Sequence, residues 1–266
     1  MPLKALIQIF FLKGNFLSAD KVLLSGGDPK EPWILDISYD YRGSPKATRL
    51  HCPKLNSSSG SPKYLPMTND ASGAIVNGKP MVCGGIHKGS SGSSRPSKVC
   101  QTLNDQGEWI VQRDALRHRR KYSGSTVMQN QLVMVGGRME GWSMTDTIEM
   151  VSPNSQSQVL PVTLPDEISS SCAVAWNATT FLVVGGVYAN DDSNQVKTVF
   201  VNIENNRWSS GPTIPGERRY NLGCQEMLVG SRPYIVVLMG GTEKKTFLLD
   251  KSNVDQGWIE GKERKM

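Results

Sequence analysis

Residue types that ordinarily carry chemistry are few in this chain, and they are scattered. Its three histidines, His51, His87 and His118, fall in different segments and share no ligand spacing. Neither GxSxG, HExxH nor a P-loop occurs. The Gly-rich stretch from Gly89 to Ser94 is not followed by a helical pattern, so it reads as a flexible connection rather than a phosphate cradle. Five cysteines, Cys52, Cys83, Cys100, Cys172 and Cys224, contain no CxxC pair, which argues against zinc; no metal and no cofactor is expected. What remains is positive charge. The run Leu116-Arg117-His118-Arg119-Arg120-Lys121 is its densest concentration, and Arg138, Arg218 and Arg219 stand further on. Guanidinium groups bind carboxylates through paired hydrogen bonds, so the chemistry on offer is recognition of an acidic group. Each cation taken singly is better read as an ordinary solvated loop charge; only repeated placement at equivalent positions sets the cluster apart.

The elements that position these residues repeat. Gln131-Leu132-Val133-Met134-Val135-Gly136-Gly137 is an apolar, β-prone run stopped by paired glycines, and near-copies end at Gly26-Gly27, Gly84-Gly85, Gly185-Gly186 and Gly240-Gly241. A recurrence of about 50 residues marks a repeat architecture. Each repeat parses into four short strands. Repeat two is the clearest: residues 71–76, the hairpin dipeptide Asn77-Gly78, a strand running into Gly84-Gly85, a Gly/Ser-rich loop from Lys88 to Ser97, a strand at 98–103 and another at 108–112. Repeats three, four and five follow the same plan. Repeat one offers strands at 21–27, 33–38 and near 47–51, and its first strand is not evident. No helical period competes with these alternating or continuously apolar runs. Four-stranded sheets with two faces to bury must stack on one another, which describes propeller blades. Trp109, Trp208 and Trp258 each open a fourth strand, where a large ring can wedge between blades; repeat three has no such Trp.

Composition agrees. With 266 residues, 38% of them hydrophobic, the chain can bury a sizeable core, and 26 glycines and 15 prolines suit many short strands joined by turns. A net charge of +6 is mild for this length and mostly interspersed with acids, so no nucleic-acid partner is expected. No apolar run approaches the ~18 residues of a membrane span.

A double glycine after an apolar strand, then a turn and a Trp opening a later strand, resembles the kelch repeat, and the match runs over about residues 20–260. The resemblance implies an all-β, kelch-type propeller of four-stranded antiparallel blades. Five repeats are recognisable, as a five-blade ring or an incomplete six-blade one. The Cys83-Gly84-Gly85 segment, Cys100 and the Arg-rich interblade loops look most like stand-alone invertebrate kelch proteins; the adaptors of ubiquitin ligases carry a dimerisation domain for which there is no room before Lys21. Residues 1–20 read as a strand of the first blade or a remnant signal peptide, 21–260 as the propeller and 261–266 as a tail.

In kelch propellers, loops between blades and loops after the double glycine converge on one end and form the ligand surface. Here the matching positions are Lys121 and Arg219, just before innermost strands, and Arg138, directly after Gly136-Gly137. Arg119, Arg120 and Arg218 lie beside them, with Tyr122, Tyr220, Trp142 and Tyr188 as aromatic neighbours. The resemblance implies a non-catalytic module that binds an acidic peptide or protein surface. The alternative is a propeller enzyme acting on carbohydrate, sialic-acid-processing or galactose-oxidase-like, which needs an acid, a Tyr and an Arg converging at the axis; the oxidase would also need more histidines. Cys83 and Cys100 fall on adjacent strands of one blade, and Cys172 and Cys224 on innermost strands of neighbouring blades. Disulfides and buried thiols both remain open for them. Two sequons, Asn56-Ser57-Ser58 and Asn177-Ala178-Thr179, lie in loops. Sequons and cysteine placement lean toward a secreted protein over a cytoplasmic one, and no sequence pattern fixes an oligomeric state.

Overall fold

The computed structural model describes residues 13–18, 21–25, 33–39, 45–51, 68–88, 94–104, 109–189, 196–216, 222–229, 231–238 and 245–261. Five sheets follow one another along the chain, each with a path of four antiparallel strands in sequence order. Blade one is Lys13–Ser18, Lys21–Ser25, Trp33–Tyr39 and Pro45–His51. Blade three is Gly124–Met128, Gln131–Val135, Ile148–Val151 and Gln158–Val159. Blade four is Cys172–Ala175, Thr180–Val184, Thr198–Asn202 and Arg207–Ser210. Blade five is Gly223–Val229, Arg232–Leu238, Thr246–Asp250 and Trp258–Glu260. Successive innermost strands pack on one another from blade one to blade five.

Blade two departs from its expected outline. Its second strand, Lys79–Lys88, continues through Gly84-Gly85 instead of stopping there, and Ser94–Pro96 pairs back onto its end. Part of the Gly/Ser-rich loop is therefore sheet, because main-chain pairing is indifferent to the absence of apolar side chains. Thr68–Val76, Cys100–Leu103 and Trp109–Gln112 complete the blade.

The continuously apolar second strands are explained by burial on both faces. Side chains alternate along a strand, so Leu132 and Met134 join a core with Val76, Met81 and Cys83 of blade two, while Val133 and Val135 join one with Phe181, Val183 and Val201 of blade four. Leu182 and Val184 turn the other way, onto Val237, Phe247 and Leu249 of blade five. Each of these three cores is thus made by two blades.

The tryptophans divide. The Trp258 indole N–H reaches back to blade four, donating to the Pro212 carbonyl at 2.9 Å, and its ring is buried. Trp109 is buried against Ala71 and Val82. Trp208 is not a wedge: it is 45% exposed on a strand exposed along its whole length. It pairs with Val201, whose side chain faces blade three, and the outer strand there is only Gln158–Val159, too short to cover the ring.

The paired glycines mark where the next blade enters. Gly85 N–H donates to the Arg120 carbonyl at 2.9 Å, and Gly137 N–H to the Ile168 carbonyl at 2.7 Å. A Cβ on Gly84 would stand 2.6 Å from Arg120 O, and Gly84 has φ +69°, so both space and backbone exclude a side chain. Gly26, Gly27, Gly240 and Gly241 lie outside the described residues.

Candidate functional site

At the end of the blades bearing the double glycines, three residues take a left-handed conformation: Asp70 (φ 70°), at the irregularity inside Thr68–Val76, and Tyr122 (φ 57°) and Ser170 (φ 59°), each two residues ahead of its innermost strand. None is glycine, and such backbone is held only where its surroundings fix it. Here main-chain bonds do so. Tyr122 N–H donates to Asp70 O at 3.0 Å, and Ser170 N–H donates to Tyr122 O at 2.7 Å, making a collar from blade two through blade three to blade four. The Ser72 hydroxyl adds a bond to Ser123 O at 2.6 Å.

Lys121 and Arg138 stand directly opposite each other next to this collar. Their main chains exchange two hydrogen bonds, Lys121 N–H to Arg138 O at 2.9 Å and Arg138 N–H to Lys121 O at 2.7 Å. Arg138 is also bridged to Met144 on its other side. Between Arg138 and Met144 the chain makes a tight loop closed by Met139 N–H to Ser143 O at 2.8 Å, which presents Trp142. That indole is 71% exposed, with Lys121 Nζ 4.9 Å and Arg138 Cζ 5.4 Å from its ring centroid. Each contact is attractive through the ring's negative face, worth about 0.5–1 kcal/mol where exposed. Lys121 Nζ is also 5.2 Å from the Tyr122 ring, and Arg138 Nε reaches the Ser169 hydroxyl at 3.4 Å.

Tyr122 has an acidic partner that sequence reasoning missed. Burial, then the hydrogen bond and charge of Asp70, push its phenol up to about 12, against an opposing pull from Arg138. Asp70 was findable in principle: it stands 14 residues before Gly84 just as Tyr122 stands 14 before Gly136, but the differing residue types hide the correspondence.

Arg120 is a correction. It is wholly buried and takes no part in the exposed rim. Its Nη2 donates to Glu149 Oε1 at 2.6 Å and to Thr147 Oγ1 at 2.9 Å, and its Nη1 to the Gly136 carbonyl at 2.9 Å. Glu149, equally buried in the third strand of blade three, also accepts from the Arg117 and His118 main-chain N–H groups at 2.8 and 3.0 Å, from His118 Nδ1 at 2.8 Å, and from the Ser157 hydroxyl. Burial alone would raise the carboxyl's pKa. The Arg120 charge, with the bonds from Ser157, Arg117 and His118, outweighs it and holds Glu149 below the usual carboxylate range. Burial lowers the pKa of Arg120, and Glu149 offsets part of that. An acid inside the apolar strand Ile148-Glu149-Met150-Val151 was the available signal for such a pair.

Arg119 is exposed beside this junction. Tyr188 lies farther round, on Val187–Tyr188, which pairs with Ile168–Ser169, and Lys197 Nζ sits 4.8 Å from its ring centroid. Arg218, Arg219 and Tyr220 lie outside the described residues, as does Cys52. Two cysteine pairs are disulfide-bonded: Cys83 with its direct cross-strand partner Cys100, and Cys172 with Cys224, which joins blade four to blade five across a Cα separation of 6.0 Å. Among the described residues no group of three His, Cys, Asp or Glu could hold a metal ion, and no helix is long and apolar enough to cross a membrane.

No protein-family model matches the chain. It is 24% identical over 164 residues to Beta-scruin of Limulus polyphemus, a match that covers 59% of this chain and 18% of that protein. The chain therefore spans less than a fifth of that relative's length. The solved structure titled "Structure of YjhT" superposes with a TM-score of 0.66 at 13% identity, covering 96% of this chain and 84% of that one. At that identity the likeness is one of fold.

Proposed function

Starting from a kelch-repeat β-propeller, we propose that this chain is a non-catalytic interaction module whose cationic loop end binds an acidic peptide or protein surface. The observation that carries the reading is the backbone-paired Lys121 and Arg138 flanking an exposed Trp142. Two cations held at fixed separation suit a carboxylate, and the indole between them gives the adjoining residue an apolar face. Arg218 and Arg219, which come before blade five in the sequence, extend the same expectation. The test is fluorescence anisotropy of a Glu-rich peptide. Binding should weaken with added salt and fall at least about tenfold on Arg138→Glu, equivalent to ~1.4 kcal/mol. Arg207→Glu, at the opposite end of blade four, should change little. Equal binding by the Arg138→Glu chain would sink the reading.

A second reading, a propeller enzyme acting on carbohydrate, is favoured by one observation: Asp70, Tyr122 and Arg138 come together at the mouth, an acid, a Tyr and an Arg. Turnover of nitrophenyl sialoside or galactoside that Asp70→Asn abolishes would support it and displace the first; no turnover at any pH leaves the binding module standing.

A further inference from the structure

We propose that Asn177 is an acceptor for N-linked glycosylation, placed at the end of the propeller opposite the cationic mouth. The sequon Asn177-Ala178-Thr179 has the required hydroxyl two residues on and no proline between. It occupies the hairpin joining Cys172–Ala175 to Thr180–Val184, with Trp176 and Asn177 N–H both donating to Thr180 O, at 2.9 and 3.1 Å. Asn177 and Ala178 are exposed. They border an open groove lined by Val127, Trp176, Glu226 and Lys251, so a sugar meets free space rather than packed side chains.

The acceptor amide is arranged for the reaction. Asn177 Oδ1 accepts from Thr179 N–H at 3.0 Å, from Thr180 N–H at 2.8 Å and from the Thr179 hydroxyl at 3.4 Å. Asn202 Nδ2 approaches Thr179 Oγ1 at 3.5 Å, a donor that leaves the Thr179 proton turned toward Asn177. Nδ2 of Asn177 makes no hydrogen bond among the described residues. In the transfer, Nδ2 forms a bond to the anomeric carbon of a polyprenyl-diphosphate-linked oligosaccharide. The carbon–oxygen bond to the diphosphate breaks, its electron pair leaves with the diphosphate, and one Nδ2 proton passes to a base of the transferase. No electron transfer is involved.

An independent observation points to the same compartment. Both disulfides, Cys83–Cys100 and Cys172–Cys224, belong to chains that mature under oxidising conditions, where this transfer takes place. The hairpin and the mouth lie at opposite ends of the innermost strand of blade four, roughly 15 Å apart at ~3.3 Å per residue. The attachment point therefore lies away from Lys121, Arg138 and Trp142.

The experiment directs the full chain into the secretory pathway of a eukaryotic cell and treats the product with an amide-cleaving glycosidase in heavy-oxygen water. One glycan's mass should be lost, with the isotope appearing in Asp at position 177. Asn177→Gln and Thr179→Ala should abolish this modification, while Thr179→Ser and Asn56→Gln should retain it. An unlabelled position 177 in a secreted wild-type chain, or glycan mass unchanged by Asn177→Gln, overturns the proposal. Because Thr179→Ser keeps the hydroxyl, its behaviour separates loss of the acceptor from loss of the fold.

Discussion

Arg120 and Lys121 are consecutive, carry the same charge and enter blade three at the same junction, yet their surroundings are opposite. Arg120 turns inward, where its guanidinium meets a carboxylate and three other oxygens with no exposure to solvent. Lys121 turns outward, over the faces of Tyr122 and Trp142. The alternation of an extended segment separates them, and the partner decides the rest. A run of basic residues therefore holds two devices. One ties the entering loop to the third strand of its own blade; the other holds its charge over the Tyr122 and Trp142 rings, where the proposed function places a ligand.

The largest effect should come from breaking the inner device. Glu149→Gln leaves Arg120 buried without its counter-charge, and breaking such a pair costs about 3–5 kcal/mol, read as a lower denaturation midpoint. Because Glu149 sits below its ordinary value of 4.5 in the folded chain, its contribution is present above about pH 4.5 and is lost as pH falls through the folded pKa. The gap between wild type and Glu149→Gln should close in that acid window. A gap that stays constant from neutral pH to pH 3 would show that shape, not charge, holds the loop.

The outer device should respond in binding and not in stability. Lys121→Ala is expected to weaken the acidic peptide by about tenfold while changing unfolding free energy by less than ~0.5 kcal/mol, the usual range for surface substitutions. Trp142→Ala should cost binding about two- to fivefold, in line with ~0.5–1 kcal/mol for an exposed cation–ring contact, again with the midpoint unmoved. Arg119→Ala, exposed but with neither ring nor acid beside it among the described residues, should be the smallest, within about twofold on a peptide titration. If Lys121→Ala destabilised the chain as much as Glu149→Gln, the division between the two cations would fail.

The blades were legible because burial on both faces forces uninterrupted apolar runs such as Leu132 to Val135, and the paired glycines punctuate them. The three-dimensional role of the glycines was not legible. Gly84 and Gly136 matter for what approaches them, the carbonyls of Arg120 and Ile168 from the segments entering the next blades, and no local pattern records that. Arg120 was misplaced for the same reason: its partner Glu149 lies 29 residues away. The exposure of Trp208 depends on the shortness of another blade's outer strand, which its own motif cannot report. Lys121, Arg138 and Trp142 were each named from sequence, but the main-chain pairing that fixes the two cations about the indole comes only from the fold.

The collar at the mouth has a consequence for how such a protein can diversify. Its joints are backbone N–H and carbonyl groups, and the slots they connect are filled by an acid, a phenol and a hydroxyl: Asp70, Tyr122 and Ser170. The joint does not consult the side chain it carries. A blade tip can therefore change residue type without cutting the main-chain joints to its neighbours, within the types that tolerate left-handed backbone, while the Asp70–Tyr122 bond couples that one pair of tips.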